Sequence, residues 1–82
     1  MNYREAFGSV VRDLRAERDM AQEDLADQLP ISQSILSKME KGRAAVTVGD
    51  IHRVARIFGT KASVIARIMQ SRVSQSGGGA KQ

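Results

Sequence analysis

Residues 22–42 read QEDLADQLPISQSILSKMEKG, two short helical patterns separated by a proline. Leu25, Ala26 and Leu29 recur at helical spacing, which predicts a short helix whose polar positions include Glu23, Asp24 and Asp27. Pro30 stops that helix, because proline has no backbone N–H to donate and pushes Leu29 out of helical geometry. Ser32 is placed to cap a second short helix ending at Gly42, with Ile31 before the cap as a hydrophobic staple. On this second helix Leu36 and Met39, three apart, face inward, while Gln33, Ser34, Ser37 and Lys38 share the opposite surface. Only Leu29 to Ser32 join the two, so the turn between them is sharp.

Helical periodicity continues on both sides. Phe7, Val10, Val11 and Leu14 repeat at i, i+3, i+4 and i+7 and define a first helix of roughly residues 3–18, with Arg4, Arg12, Asp13, Arg15 and Glu17 off or beside the apolar stripe. Tyr3 and Phe7 are read as packing of this helix, since an aromatic platform for bases needs more aromatic residues than this chain has. Thr47 and Asp50 form a capping-box pattern at the start of a fourth helix carrying Ile51, Val54, Ala55 and Phe58, which Gly59 closes. A fifth helix of about residues 61–72 carries Val64, Ile65, Ile68 and Met69, a wider apolar face than a terminal helix needs for its own core. That face is the candidate dimer interface, the alternative being ordinary core packing. The ending SQSGGGAKQ has too little apolar content to order itself and is read as a flexible tail over residues 74–82. The expected fold is all-α: a compact five-helix domain over residues 1–73, with no strand.

Size and composition exclude much. Eighty-two residues make one domain, because a chain this short buries only roughly 60% of its unfolded surface. No separate ligand-sensing domain is expected at this length. Without cysteine there is neither a disulfide framework nor a thiolate metal site, and the lone His52 is read as exposed surface, so no cofactor or metal is expected. No apolar run approaches the roughly 18 residues that span a bilayer, and MNYREAFGS carries charges where a signal peptide needs an apolar core. A cytoplasmic, membrane-free protein is the expectation. The net charge of +4 is unevenly spread: residues 1–32 hold four basic and seven acidic side chains, residues 33–82 nine basic and two acidic, giving −3 and +7. The later part is the candidate polyanion-facing side, the alternative being a basic surface that meets only water.

The two short helices carry the chemistry. A DNA major groove about 12 Å wide accepts one α-helix, and a second helix packed across it can sit over the phosphate backbone. Glutamine pairs bidentately with adenine N6 and N7, lysine donates to guanine O6 and N7, and serines serve bases or phosphates. The alternative for any one of Gln33, Ser34, Ser37 and Lys38 is a solvated helix face; their convergence on one short helix favours base contact.

From Phe7 to about Val64 the chain resembles the Cro/C1-type, or xenobiotic-response-element-like, helix-turn-helix family of small DNA-binding transcriptional regulators. LRAERDMAQEDLADQL, ISQSILSKMEKG and IHRVARIFG carry the resemblance. It implies a lambda-repressor-like domain in which Gln22, opening the second helix, bonds a DNA phosphate and braces the recognition helix. It also implies base contacts at Gln33, Ser34 and Lys38 with Ser37 nearby, a buried structural ion pair between Arg15 and Glu40, and phosphate contacts at Arg43 and Lys41. Three positions depart from the family pattern. Ala21 provides no side-chain cap, which costs roughly 1 kcal/mol and is partly offset by Glu23 and Asp24 at the helix amino terminus. Pro30 replaces the usual turn glycine. Ile35 is apolar where a polar residue is usual, and is read either as a thymine-methyl contact or as packing beside Pro30. Arg53 and Arg56 are read as phosphate contacts or solvated surface.

The expected function is therefore sequence-specific binding of double-stranded DNA by a transcriptional regulator, a repressor or autoregulator acting as a homodimer on an inverted-repeat operator. A regulatory protein partner is a further expectation, since occupancy must be set by concentration, dimerisation or such a partner. The alternative is a protein-interaction adaptor using the same helical surface. An enzyme is not expected, for the chain has no paired carboxylates, no nucleophile with a base and no phosphate-cradling glycine loop.

Overall fold

Asn2 opens the first helix: its side chain accepts from the Glu5 amide at 2.8 Å while the Glu5 carboxylate accepts from the Asn2 amide at 2.9 Å. This reciprocal cap starts α1 (Tyr3–Glu17) in the computed structural model, which describes residues 1–78. There follow α2 (Gln22–Gln28), α3 (Gln33–Glu40), α4 (Val48–Ile57) and α5 (Ala62–Gly78). Ala21 precedes α2 without a side-chain cap, Ser32 Oγ accepts from the Ile35 amide at 3.1 Å, and Thr47 and Asp50 form the reciprocal box of α4. Burial opposes ionisation of Asp50, but the hydrogen bonds from Thr47 and the neighbouring Arg53 together outweigh it and hold its carboxyl below the usual range.

The first four helices end in one and the same way. In each, the amide two residues past the C-cap reaches back five residues to a helical carbonyl: Met20 to Arg15, Ile31 to Ala26, Arg43 to Lys38 and Thr60 to Ala55, all at 2.9–3.0 Å. This closure requires a left-handed residue just past the C-cap, and Asp19, Pro30, Gly42 and Gly59 take that place with φ of 53°, 27°, 75° and 67°. Glycine adopts it freely; the proline ring favours φ near −65°, so Pro30 is strained there.

The core is a single cluster in which Phe7, Val11, Leu25, Leu36, Val54 and Ile65 are fully buried. Helix α1 packs on both α5 and α3, α4 on α5, and α2 on α3. Gly8 sets the α1–α3 approach, since a Cβ there would overlap the carbonyl oxygens of Met39 and Glu40. Arg72 fastens α5 to α1, pairing with Asp13 at 2.8 Å and donating to Ser9 Oγ at 2.7 Å. Arg18 donates to the Phe58 carbonyl at 2.7 Å and lies over the Phe58 ring, closing the far end of α4.

Three sequence expectations are corrected. Ile65 and Met69 do not belong to a dimer surface: they are 1% and 4% exposed, because they are the inner face of α5 against the core. Val64, more than a third exposed, and the partly buried Ile68 are what remains of that candidate face. Tyr3 is half exposed and is not a core residue; its hydroxyl donates to Gln70 Oε1 on α5 at 2.5 Å. Helical backbone runs on to Gly78 rather than stopping near residue 72, over the first part of the expected tail. Residues 79–82 of that tail lie outside the described residues.

Candidate nucleic-acid interface

Helix α3 is eight residues long, and its two faces differ sharply. Leu36, Met39 and Glu40 are buried; Gln33, Ser34, Ile35 and Lys38 are exposed and Ser37 is half-buried. A helix this short has little stability alone, so its orientation is imposed by what holds the buried side.

The main holder is an ion pair. Arg15 on α1 grips Glu40 with two parallel hydrogen bonds, Nε to Oε2 at 2.7 Å and Nη2 to Oε1 at 2.8 Å, and its Nη1 donates to the Met20 carbonyl at 2.9 Å. Glu40 is 4% exposed, so its charge needs a full set of donors. A third comes from Gln22, whose Nε2 donates to Glu40 Oε1 at 3.0 Å. The hydrogen bonds from Arg15 to Glu40 raise the arginine pKa; burial opposes and the carboxylate charge assists, so the guanidinium stays charged.

Gln22 joins the two helices of the motif. Its Oε1 accepts from Gln33 Nε2 at 3.3 Å, so the first residue of α2 touches the first residue of α3. The structure thus brings together Arg15, Gln22, Gln33 and Glu40 in one hydrogen-bonded series. Ser34, Ser37 and Lys38 lie outside it, on the open side of α3. Lys41 and Arg43 flank Gly42 at the far end of α3 and are exposed. Arg53 pairs with Asp50 at 2.8 Å, whereas His52 and Arg56 are exposed on α4.

Ile35 is 48% exposed, and it also lines a cleft of about 310 Å³ with Leu29, Pro30, Ile31, Met39 and Ala44. It therefore sits beside Pro30 while keeping an apolar surface open at the edge of the α3 face. No pattern in the sequence marks this cleft, for it depends on where the loop after Gly42 returns. The Asn2 cap, absent from the sequence expectations, does have a signal, since Asn2 and Glu5 stand at capping-box spacing. Among the described residues, no cluster of three or more acidic, histidine or cysteine side chains is placed to hold a metal ion, and no helix is long and apolar enough to cross a membrane.

A family model described as a helix-turn-helix domain matches residues 6–68. The chain is 41% identical over 59 residues to the HTH-type transcriptional regulator RamB of Mycobacterium tuberculosis, a match covering 72% of this chain and 12% of RamB. It is 32% identical over 53 residues to the cryptic phage CTXphi transcriptional repressor RstR of Vibrio cholerae, covering 65% of this chain and 48% of that one. Two crystal structures of the clp gene regulator ClgR from Corynebacterium glutamicum share the fold. One aligns with TM-score 0.86 and 22% identity over 98% of this chain and 85% of the other; the second with 0.79 and 25% identity over 88% and 94%. The chain thus spans under half the length of the RamB and RstR proteins it matches.

Proposed function

Because the chain belongs to the helix-turn-helix family of transcriptional regulators, of the Cro/C1 type, we propose that it reads double-stranded DNA with α3 in the major groove and acts as a repressor or autoregulator. The observation that carries this reading is the polar, exposed face of α3 held against a buried ion pair. Gln33, Ser34, Ser37 and Lys38 meet base edges; Gln22, Lys41 and Arg43 meet phosphates; Ile35 offers its open apolar surface to a thymine methyl. So small a module binds one half-site weakly, so the working form is a symmetric dimer on an inverted repeat with half-sites about 34–36 Å apart. The outward side of α5 at Val64 and Ile68 is the surface for that dimer. The repressor reading takes support from the likeness to RstR.

Selection of bound duplexes from a random pool tests this directly. A symmetric enriched motif is expected. Weak, salt-labile binding without a motif would sink the proposal and leave a protein-binding use of the same surface. Two variants separate the roles: Gln33→Ala relaxes preference at one base pair, whereas Arg43→Ala weakens all sequences alike and lowers the salt slope by about one.

A further inference from the structure

We propose that Glu40 is a positioning residue for base choice, and that through Gln22 it fixes the polarity of the Gln33 amide so that α3 favours adenine over guanine. The inference rests on the base-reading role proposed for Gln33, and the observation behind it is the series Arg15–Glu40–Gln22–Gln33. A carboxylate only accepts hydrogen bonds. Glu40 Oε1 can therefore receive only the NH2 end of the Gln22 amide, which it does at 3.0 Å. The Gln22 carbonyl oxygen must then face the other way, towards Gln33 at the amino end of α3. That oxygen also only accepts, so it takes the NH2 end of Gln33, at 3.3 Å. A reversed Gln33 amide would set two carbonyl oxygens against each other.

One N–H of Gln33 is thereby committed to Gln22, and what remains for DNA is one donor beside one acceptor. Adenine offers the complement in the major groove, N7 to accept and N6 to donate. Guanine offers two acceptors, N7 and O6, which require two donors. The ion pair that anchors α3 thus also sets the order of donor and acceptor at its reading end. If residue 40 could donate, the series could run in either direction and the preference would relax.

The test compares binding of duplexes carrying A·T or G·C at the pair whose discrimination Gln33→Ala abolishes. The wild-type chain is expected to prefer adenine by about tenfold, the scale of a bidentate contact. Glu40→Gln lowers the ratio to about threefold or less. Gln22→Met does the same while leaving the Arg15–Glu40 pair in place, which keeps the test sound if Glu40→Gln melts early. The double variant Glu40→Gln with Gln22→Glu restores a one-way series, since the new amide at position 40 would donate to a carboxylate at position 22 that also accepts from Gln33. The adenine ratio then recovers even where overall affinity falls. A purely structural role would move affinity without moving this ratio. An unchanged ratio in Gln22→Met and Glu40→Gln, or a preference for guanine, overturns the relay while leaving Gln33 as a reader. If Gln33→Ala alters no base pair, the reading role itself fails and the relay with it.

Discussion

The two ends of α3 are built on opposite terms. At its carboxyl end Met39 and Glu40 are buried, Glu40 is held by Arg15 and Gln22, Gly8 lets α1 press on the backbone, and Gly42 makes the closing turn. At its amino end Gln33, Ser34 and Ile35 are exposed, and the entry turn rests on Pro30 in a backbone conformation that proline resists. Packing and paired charge fix one end, so the other can leave its side chains open to solvent, with Gln33 reaching back to Gln22. The contrast shows how a helix too short to be stable alone can present side chains in a definite direction.

The largest expected effect lies at the buried end. Glu40→Ala leaves the Arg15 guanidinium without its carboxylate and should cost about 3 kcal/mol in chemical denaturation; a cost under about 1 kcal/mol would mean the anchor is elsewhere. Gly42→Ala comes next, at about 2 kcal/mol, because the new Cβ faces both a left-handed backbone and the Glu5 side chain, whose Cγ would lie 2.6 Å away. Gly59→Ala has the same backbone demand with nothing within 4 Å, so its cost should be about 1 kcal/mol. Equal losses at the two glycines would show that the Glu5 contact is immaterial.

At the exposed end the sign reverses. Pro30→Gly gives the turn a residue that adopts positive φ and restores a backbone donor, and thermal melting should show a gain of about 1 kcal/mol. A loss would indicate that proline's stiffening of the unfolded chain outweighs the strained turn. Ser34→Ala is the smallest: stability should stay within about 0.5 kcal/mol of wild type, while binding to a selected DNA changes. A clear drop in melting temperature would place Ser34 in the scaffold and erase the contrast between the ends.

Much of the fold was legible because helical periodicity reports burial directly. Phe7, Val10 and Val11, then Leu25, Ala26 and Leu29, then Leu36 and Met39, are all core residues at the spacing the pattern required. The same logic failed on α5. An apolar stripe does not say which of its edges meets the core, and Ile65 and Met69 could be separated from Val64 and Ile68 only once α1 and α4 were in place. Tyr3 misled for a related reason, since its aromatic ring suited packing while its hydroxyl reaches Gln70, 67 residues away. The outward face of α3 could be named from its helical spacing, and the resemblance added the phosphate positions and the bracing role of Gln22; the partners by which Gln22 braces α3, Glu40 and Gln33, could not be read from the sequence.

Local pattern along the chain sufficed for the helices, their order, the caps at Ser32 and Thr47, the sharp turn at Pro30 and the split of α3 into an inward and an outward face. These follow from local rules: periodicity, side-chain capping and the geometry of proline and glycine. How the helices pack settles which face of α5 is buried, the cleft beside Ile35, the latch of Arg72 on Asp13 and Ser9, and the links by which Gln22 extends the expected Arg15–Glu40 pair to Gln33. The latch and the series join residues on different helices within about 3 Å, and distances of that kind are set by how helices pack rather than by the pattern along any one of them.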